Sequence, residues 1–572
     1  MSASRAGKAS HYLVAATALL LLFEFYWFGR NSLREIDYDG MAYIGIARHL
    51  RQADFRSAIN AFRSPLLSWI IALIPGRDYV LTGKAVNVLA FFACAMLLYL
   101  FTLRLWRSPL AASVAILLFV LARGLVPAAV GSVVPDLLFT ALTLAYFIVL
   151  LHCLREACLR EACLGEVRSR GAGWRRWFLL GMVHGLAYLA KAFALPWLAL
   201  STVVAALLSP GTVKQRLRRL AAAALIPVVV AVGWAAVLHS KYGVFTTGSQ
   251  FKANLLQWTL REYPHHREPS YALLRDTTKE VDDYVVDDPM PPGSWPWSYR
   301  VSLRQALPKL IAAEERNVPA VLKEILIVIT PGGLLAFAVA AAIVTRRRRQ
   351  YPAEWRIVAV IAVSSISLVF AYSMLVFDAR YLYPLIPLLL AVAARFLIPT
   401  RFPLNDDWNH ANWRMAAIVL LVAGEIAALV YSSSPFRTLN RDFQVSCYDA
   451  AHRLKAHEGT SLISIGAGPF PEHGVGWEAS YKAAFFGNGR LIAALDDLPT
   501  PGDTPVALAD LAKASPDAVI IWGNRNDVRY RAFMQFLSLR YPNAPSEEIS
   551  DPVLGNVGAI LFLKEQSTQP TP

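Results

Sequence analysis

Apolar runs long enough to cross a bilayer recur near 11–29, 80–103, 108–126, 134–154, 177–192, 193–209, 220–239, 318–344, 354–376, 382–398 and 413–432. A helical span takes about 20 predominantly apolar residues, so the pattern predicts about eleven transmembrane helices, with the cut inside 177–209 the least sharply marked. The stretch RSPLLSWIIALIP at 63–75 is too short to span and reads as a re-entrant or interfacial segment. Between the runs the basic residues alternate in density. Arg104 and Arg107, Arg155 to Arg176, KQRLRR at 214–219, RRRR at 346–349, then Arg401 and Arg414 all fall on one side, which the positive-inside rule makes cytoplasmic. The first outer loop at 30–79, the long loop at 240–315, the FDARY turn at 377–381 and everything after about 433 then share the extracytoplasmic face.

After about 440 the pattern changes. Helices are expected at FQVSCYDAAHRLKAH, PVALADLAKA and VRYRAFMQFLSLRY, and strands at SLISIGAG, RLIAAL, AVIIWG and AILFLKE. Strands alternating with helices indicate a small soluble α/β domain at 433–572 behind a membrane domain at 1–432. The glycines of GAGPFPEHG follow a strand, but they lack the G-x-G-x-x-G spacing and precede prolines, which argues against nucleotide binding.

Composition agrees with a polytopic membrane protein: of 572 residues, 56% are hydrophobic and only 17% charged. The net charge of +15 sits between apolar runs, where topology accounts for it, so nucleic acid is not an expected partner. The N-terminal MSASRAGKAS is followed by an apolar run with no small-residue cleavage site, which reads as an uncleaved first helix. The five cysteines (94, 153, 158, 163, 447) give no disulfide framework, and CLREACLREACL at 153–164 reads as a cytoplasmic helix extension.

The candidate chemistry concentrates in the first outer loop, LREIDYDGMAYIGIARHLRQADFRSAINAFRSPLLSW. Met41, Ile44, Ala47 and Leu50 form one stripe, predicting a short interfacial helix with Asp37 and Asp39 just before it. In an extended segment two carboxylates so spaced face one side; on a helix they diverge. They are read in two ways, as N-terminal caps of that helix, or as a general base with a partner acid that binds the acceptor or helps hold a divalent cation, Mg or Mn. Asp136, Lys191 and Arg380 stand at outer ends of spans, where ionisable groups are costly. Solvation, snorkelling and the neighbouring Asp378 are the plainer explanations for these. The three cations Arg63, Lys191 and Arg380, with Asp136 and Tyr43 beside them, make a group suited to a lipid-borne phosphate. The acidic run DDYVVDDP at 282–289 and the pair His265–His266 read as loop surface rather than as a metal site.

These pieces, DYDGMAYIGIARHL with SPLLSW, VVPDLLFTALTLAYF, GMVHGLAYLAKAFALP and RYLYPLIPLLL, resemble in order and sidedness the GT-C membrane glycosyltransferases, in the branch of protein O-mannosyltransferases and lipid A aminoarabinose transferase. The resemblance implies a transferase using a polyprenyl-phosphate-linked sugar and an extracytoplasmic acceptor, by inverting displacement. It matches Asp39 to the catalytic loop acid and Arg63 to a phosphate-binding cation. The sequence departs from the aminoarabinose transferase at Ala42, where that relative has an arginine, and in the additional Asp37. The setting implied is a bacterial inner membrane. The competing classes are a lipid-linked-sugar flippase, against which no inverted repeat is visible, and a noncatalytic assembly protein.

Overall fold

The computed structural model describes residues 3–32, 36–76, 78–122, 124–162, 173–260, 273–276, 302–328, 330–374, 378–397, 447, 450–454, 460–466, 476–487, 489–495, 497–523, 526–551 and 555–563. The run at 413–432, the histidine pair, the acidic run at 282–289 and the segment after Gly466 lie outside the described residues. The chain divides into two compact units. The first comprises Met1–Leu33, Tyr43–Pro264 and Met290–Ser433, and the second Arg34–Ala42, His265–Pro289 and Ser434–Pro572. Short pieces of both outer loops therefore go with the C-terminal unit, where a division drawn by hydropathy alone leaves them in the membrane part.

The first unit is helical. Among the described residues, the apolar segments Ser10–Gly29, Tyr79–Trp106, Asp136–Leu159, Val213–Tyr242 and Glu354–Ser373 are each long enough to cross a membrane. Pro109–Leu121 and Leu125–Gly131 meet the same test only as a pair, bent by 59°. Ala194–Leu208, Gly333–Arg346 and Ile386–Arg395 are shorter apolar helices. The run at 108–126 is thus not one straight helix: Gly124 takes φ +87, a left-handed backbone that glycine adopts without a Cβ penalty. The run at 318–344 belongs to two helices, Leu303–Val328 and Thr330–Arg346. The first half of the former carries Arg304, Lys309, Glu314 and Glu315, so hydropathy does not register it. The 177–209 pair resolves into Gly173–Ala190 and Ala194–Leu208. The stretch at 63–75 holds only the helix Leu66–Leu73, too short to span.

Local signals set the ends. Asp78 and Ser108 accept hydrogen bonds from the amides of Leu81 and Ala111, and Thr212 with Gln215 forms a capping box. Gly181 and Gly185 let the helices Gly173–Ala190 and Val213–Tyr242 approach closely; a Cβ at Gly181 would lie 2.5 Å from the Ala223 carbonyl oxygen. Polar bolts cross the apolar core: Trp197 Nε1 donates to the Ser364 carbonyl (2.8 Å), and the Tyr146 hydroxyl meets Thr202 Oγ1 (2.7 Å). At one end of the bundle Arg155 pairs with Glu354 (2.7 Å) and Arg176 with Glu156 (2.9 Å). Asp136, the first residue of the helix Asp136–Ala162, lies about 28 Å from Arg155 at 1.5 Å rise per residue, close to the thickness of bilayer hydrocarbon.

The second unit carries a six-stranded sheet in the order β1-β3-β2-β4-β6-β5: β1 Arg275–Asp276, β2 Ser461–Ile465, β3 Arg490–Leu495, β4 Ala518–Trp522, β5 Ser546–Asp551 and β6 Gly555–Phe562. Strands β3, β2 and β4 run parallel, and the rest pair antiparallel. Ile463, Ile465, Val519 and Ile521 pack with Leu511, Phe533 and Leu537 into its core. The expected strands at 461, 490, 518 and the final one are present, as are the helices Thr504–Ala514 and Val528–Arg540. Three elements have no counterpart in the sequence reading. The helix Gly476–Gly487 is short and bracketed by glycines, β5 (SEEISD) is a polar edge strand, and β1 comes from the long outer loop.

Candidate active site

The first-loop helix runs Tyr38–Arg51, starting earlier than its apolar stripe. Asp37 sets that start: its Oδ1 accepts the Gly40 amide (3.0 Å) and its carbonyl accepts the Met41 amide (3.1 Å). Asp39 consequently lies inside the first turn, where the helix dipole favours a carboxylate. The two acids therefore do not sit side by side before the helix as the extended reading has them. Asp37 thus caps this helix, and Asp39 follows it within the first turn. Among the described residues no group of three or more His, Cys, Asp and Glu side chains comes together to hold a metal.

Tyr43, one turn further along, is buried, and its carbonyl accepts from Ser68 Oγ (2.9 Å). The Arg63 guanidinium lies 5.8 Å from the Tyr43 ring centre and 4.8 Å from that of Phe62, so this buried cation is held between aromatic faces. Asn60 shapes the turn that carries it, its Oδ1 accepting the amides of both Phe62 and Arg63 (2.8 Å each).

Lys191 stands where the helix ending at Ala190 breaks before Ala194. His184 Nε2 donates across the break to the carbonyls of Ala194 and Leu195 (3.2 and 3.1 Å). Lys191 does not snorkel to solvent. It is buried, donates to Asp136 Oδ1 (2.5 Å), and lies 4.5 Å from the Tyr381 ring centre and 5.9 Å from that of Tyr372. Those rings stack at 4.3 Å. Arg380 lies 5.8 Å over Tyr381 and pairs through Nε with Asp378 Oδ2 (2.9 Å), as the plainer reading of FDARY expects. Asp136, deeply buried, is likewise not solvated; it is the counter-ion of Lys191.

One hydrogen bond ties the two halves of this group together: the Ala192 amide, beside Lys191, donates to Ser64 Oγ, beside Arg63 (3.0 Å). The Ser249 amide donates to the Ala61 carbonyl (2.7 Å) and the Tyr188 hydroxyl to Thr247 (3.0 Å), which seat the long loop's first residues on the same turn. A cleft lined by Phe62, Arg63, Tyr188, Trp234 and Gly248 opens there. The structure thus brings Arg63, Lys191, Asp136, Arg380 and Tyr43 into linked contacts within one unit. Asn60, Ser64, Tyr372 and Tyr381 were not singled out by sequence. The only trace they leave is that they flank or face the charged residues.

No protein-family model matches the sequence, and no curated protein matches it either. Solved structures do. The ArnT of Cupriavidus metallidurans bound to undecaprenyl phosphate is similar with a TM-score of 0.53 and 12% identity, over 97% of this chain and 99% of that one. Its apo form gives 0.52 and 14%, over 97% and 98%. The Archaeoglobus fulgidus oligosaccharyltransferase with zinc and sulfate gives 0.50 and 10%, over 96% and 72%. These relatives are GT-C glycosyltransferases. The likeness extends over nearly the whole of this chain and shows that its fold is that of these GT-C structures.

Proposed function

We propose that the protein is a membrane glycosyltransferase that moves a sugar from a polyprenyl-phosphate donor to an extracytoplasmic acceptor, a glycolipid, polysaccharide or protein, at the outer face of a bacterial inner membrane. The observation that carries this reading is the cationic group at one end of the bundle. Arg63 is tied through Ser64 and Ala192 to the Lys191 bend, and Arg380 approaches the same Tyr381 ring as Lys191. Guanidinium and ammonium groups among apolar helices suit a phosphate on a lipid tail. The ArnT similar in fold was solved with undecaprenyl phosphate bound, which supports the same donor class here.

In this reading Asp39 accepts the proton of the acceptor hydroxyl as its oxygen bonds to C1 of the sugar. The C1–O bond to the lipid phosphate breaks in the same step, with inversion. The negative charge left on the phosphate is stabilised by Arg63, Lys191 and Arg380. Asp136 and Asp378 hold two of those cations in place, and Asp37 holds the start of the helix that carries the base. Tyr43 lines the approach to Arg63.

The test is single-turnover transfer from radiolabelled polyprenyl-phosphate sugars by purified protein, with and without EDTA. Asp39→Asn keeps the size and capping ability of the side chain. Transfer should fall by roughly 10²- to 10⁴-fold with donor binding retained, the scale of general-base catalysis. Near-normal transfer by that variant removes Asp39 as the base, and no transfer by wild type from any donor sinks the reading. Inhibition by EDTA adds a metal to it.

A further inference from the structure

The helix Val528–Arg540 of the C-terminal unit is apolar on both sides. Tyr530, Phe533 and Leu537, at i, i+3 and i+7, are buried in the core of the sheet unit. Opposite them Val528, Phe536 and Leu539 are 70%, 42% and 73% exposed. A helix packed on a soluble core should be polar on its outer face, and large apolar side chains grouped there mark a surface that meets something. Charge says what. The helix contains Arg529, Arg531 and Arg540 and no acidic residue. Arg529 is occupied by Asp497 (3.3 Å) and Asp527 (3.9 Å) at the N-terminal end. Among the described residues, no carboxylate pairs with Arg531 or Arg540, and both are exposed beside the apolar stripe.

We propose that this face is a membrane-docking surface for anionic lipid headgroups, with Phe536 and Leu539 entering the interface and Arg531 and Arg540 meeting lipid phosphates. The combination of apolar and arginine side chains without acids is that of interfacial helices, which bind through buried apolar area plus attraction to anionic lipid. The unit belongs to a chain that also carries membrane-length apolar helices, so a bilayer is the surface the same chain already meets. The proposal does not depend on the transferase reading.

The test uses the full chain in lipid nanodiscs, with a photo-crosslinking benzoylphenylalanine replacing the exposed Gln535, which lies beside Val528 and Leu539 on this face. Illumination should give lipid adducts by mass in discs containing phosphatidylglycerol. Adducts should be at least fivefold fewer in purely zwitterionic discs, and fewer again when Arg531→Gln and Arg540→Gln are combined. Phe536→Ser with Leu539→Ser should suppress them while the protein stays folded and keeps any transferase activity, since both side chains lie outside the core. Equal adducts in anionic and zwitterionic discs, or no lipid adducts at all, would overturn the proposal. So would adducts mainly between two copies of the chain, which would make the face a self-association surface.

Discussion

The helices Asp136–Ala162 and Gly173–Ala190 run antiparallel, and an ion pair joins them at each end. At one end Lys191 and Asp136 retain only 10% and 5% of their side-chain exposure, under a stack of tyrosines. At the other, Arg176 keeps 49% and Glu156 18%. The residue chemistry is the same, but the surroundings reverse its meaning. A solvated pair is worth little and serves as the charged end of a span, whereas a buried pair is a commitment that the fold makes for a purpose. The end with the buried pair also gathers Arg63 and Arg380.

The sharpest way to break this contrast is to remove one partner. Lys191→Ala or Asp136→Ala should cost about 3–5 kcal/mol of stability, because the remaining charge is left buried and alone. Thermal unfolding in detergent measures it, and a loss near that of a surface pair would erase the difference between the two ends. Arg63→Ala should weaken polyprenyl-phosphate binding by about 1.5–3 kcal/mol, the range of hydrogen bonds to charged groups. Arg63→Lys should recover only part, since a fork contact becomes a point contact. Unchanged donor affinity in both would remove Arg63 from the group. On the opposite end, Arg155→Ala should lose about 1.5 kcal/mol of stability, because its Nη2 donates to both Glu354 (2.7 Å) and the Leu105 carbonyl (3.3 Å) in a half-buried setting. Arg176→Ala should lose less than about 1 kcal/mol, and that loss should shrink in high salt.

A smaller effect is expected outside the bundle. Asp54 caps the short helix Phe55–Ala58, and hydrogen bonds from Ser57, with His49 nearby, hold its carboxyl below the usual range. A carboxyl lowered on folding contributes stability above its unfolded pKa, and the contribution disappears as pH falls through the folded value. Asp54→Asn should therefore flatten the acid limb of the stability curve slightly, with the small loss appearing at neutral pH, where the wild-type carboxylate is charged, and vanishing in acid.

The membrane part was legible because hydropathy reports burial in lipid directly. Tyr79–Trp106, Asp136–Ala162 and Glu354–Ser373 follow their apolar runs closely. It was less legible where backbone geometry or amphipathic sequence intervened, as at Gly124 and in Leu303–Val328. For the candidate site, single charged residues at span ends were visible as anomalies. That Lys191 is spoken for by Asp136, or that Ser64 joins its bend to the Arg63 turn, was not, because those contacts link positions 55 and 128 residues apart. Asp37 misled for a local reason: one side chain can extend a helix past the edge of its apolar stripe.

The strand β1 has a bearing on how the chain is made. It pairs with β3 across more than two hundred positions of sequence, and the amides of Leu273 and Leu274 just before it both donate to Asp510 Oδ2 (2.6 and 3.1 Å). The segment leaves the ribosome long before the strand it joins exists, and it must wait unpaired while the later helices are inserted. A fragment beginning at Ser434 would lack it, leaving the β3 edge uncovered and the buried Asp510 carboxylate without its amides, a combination that invites edge-to-edge aggregation. The C-terminal sheet is therefore finished only by a piece of chain synthesised before the membrane part is complete, so assembly outside the membrane has to follow insertion within it.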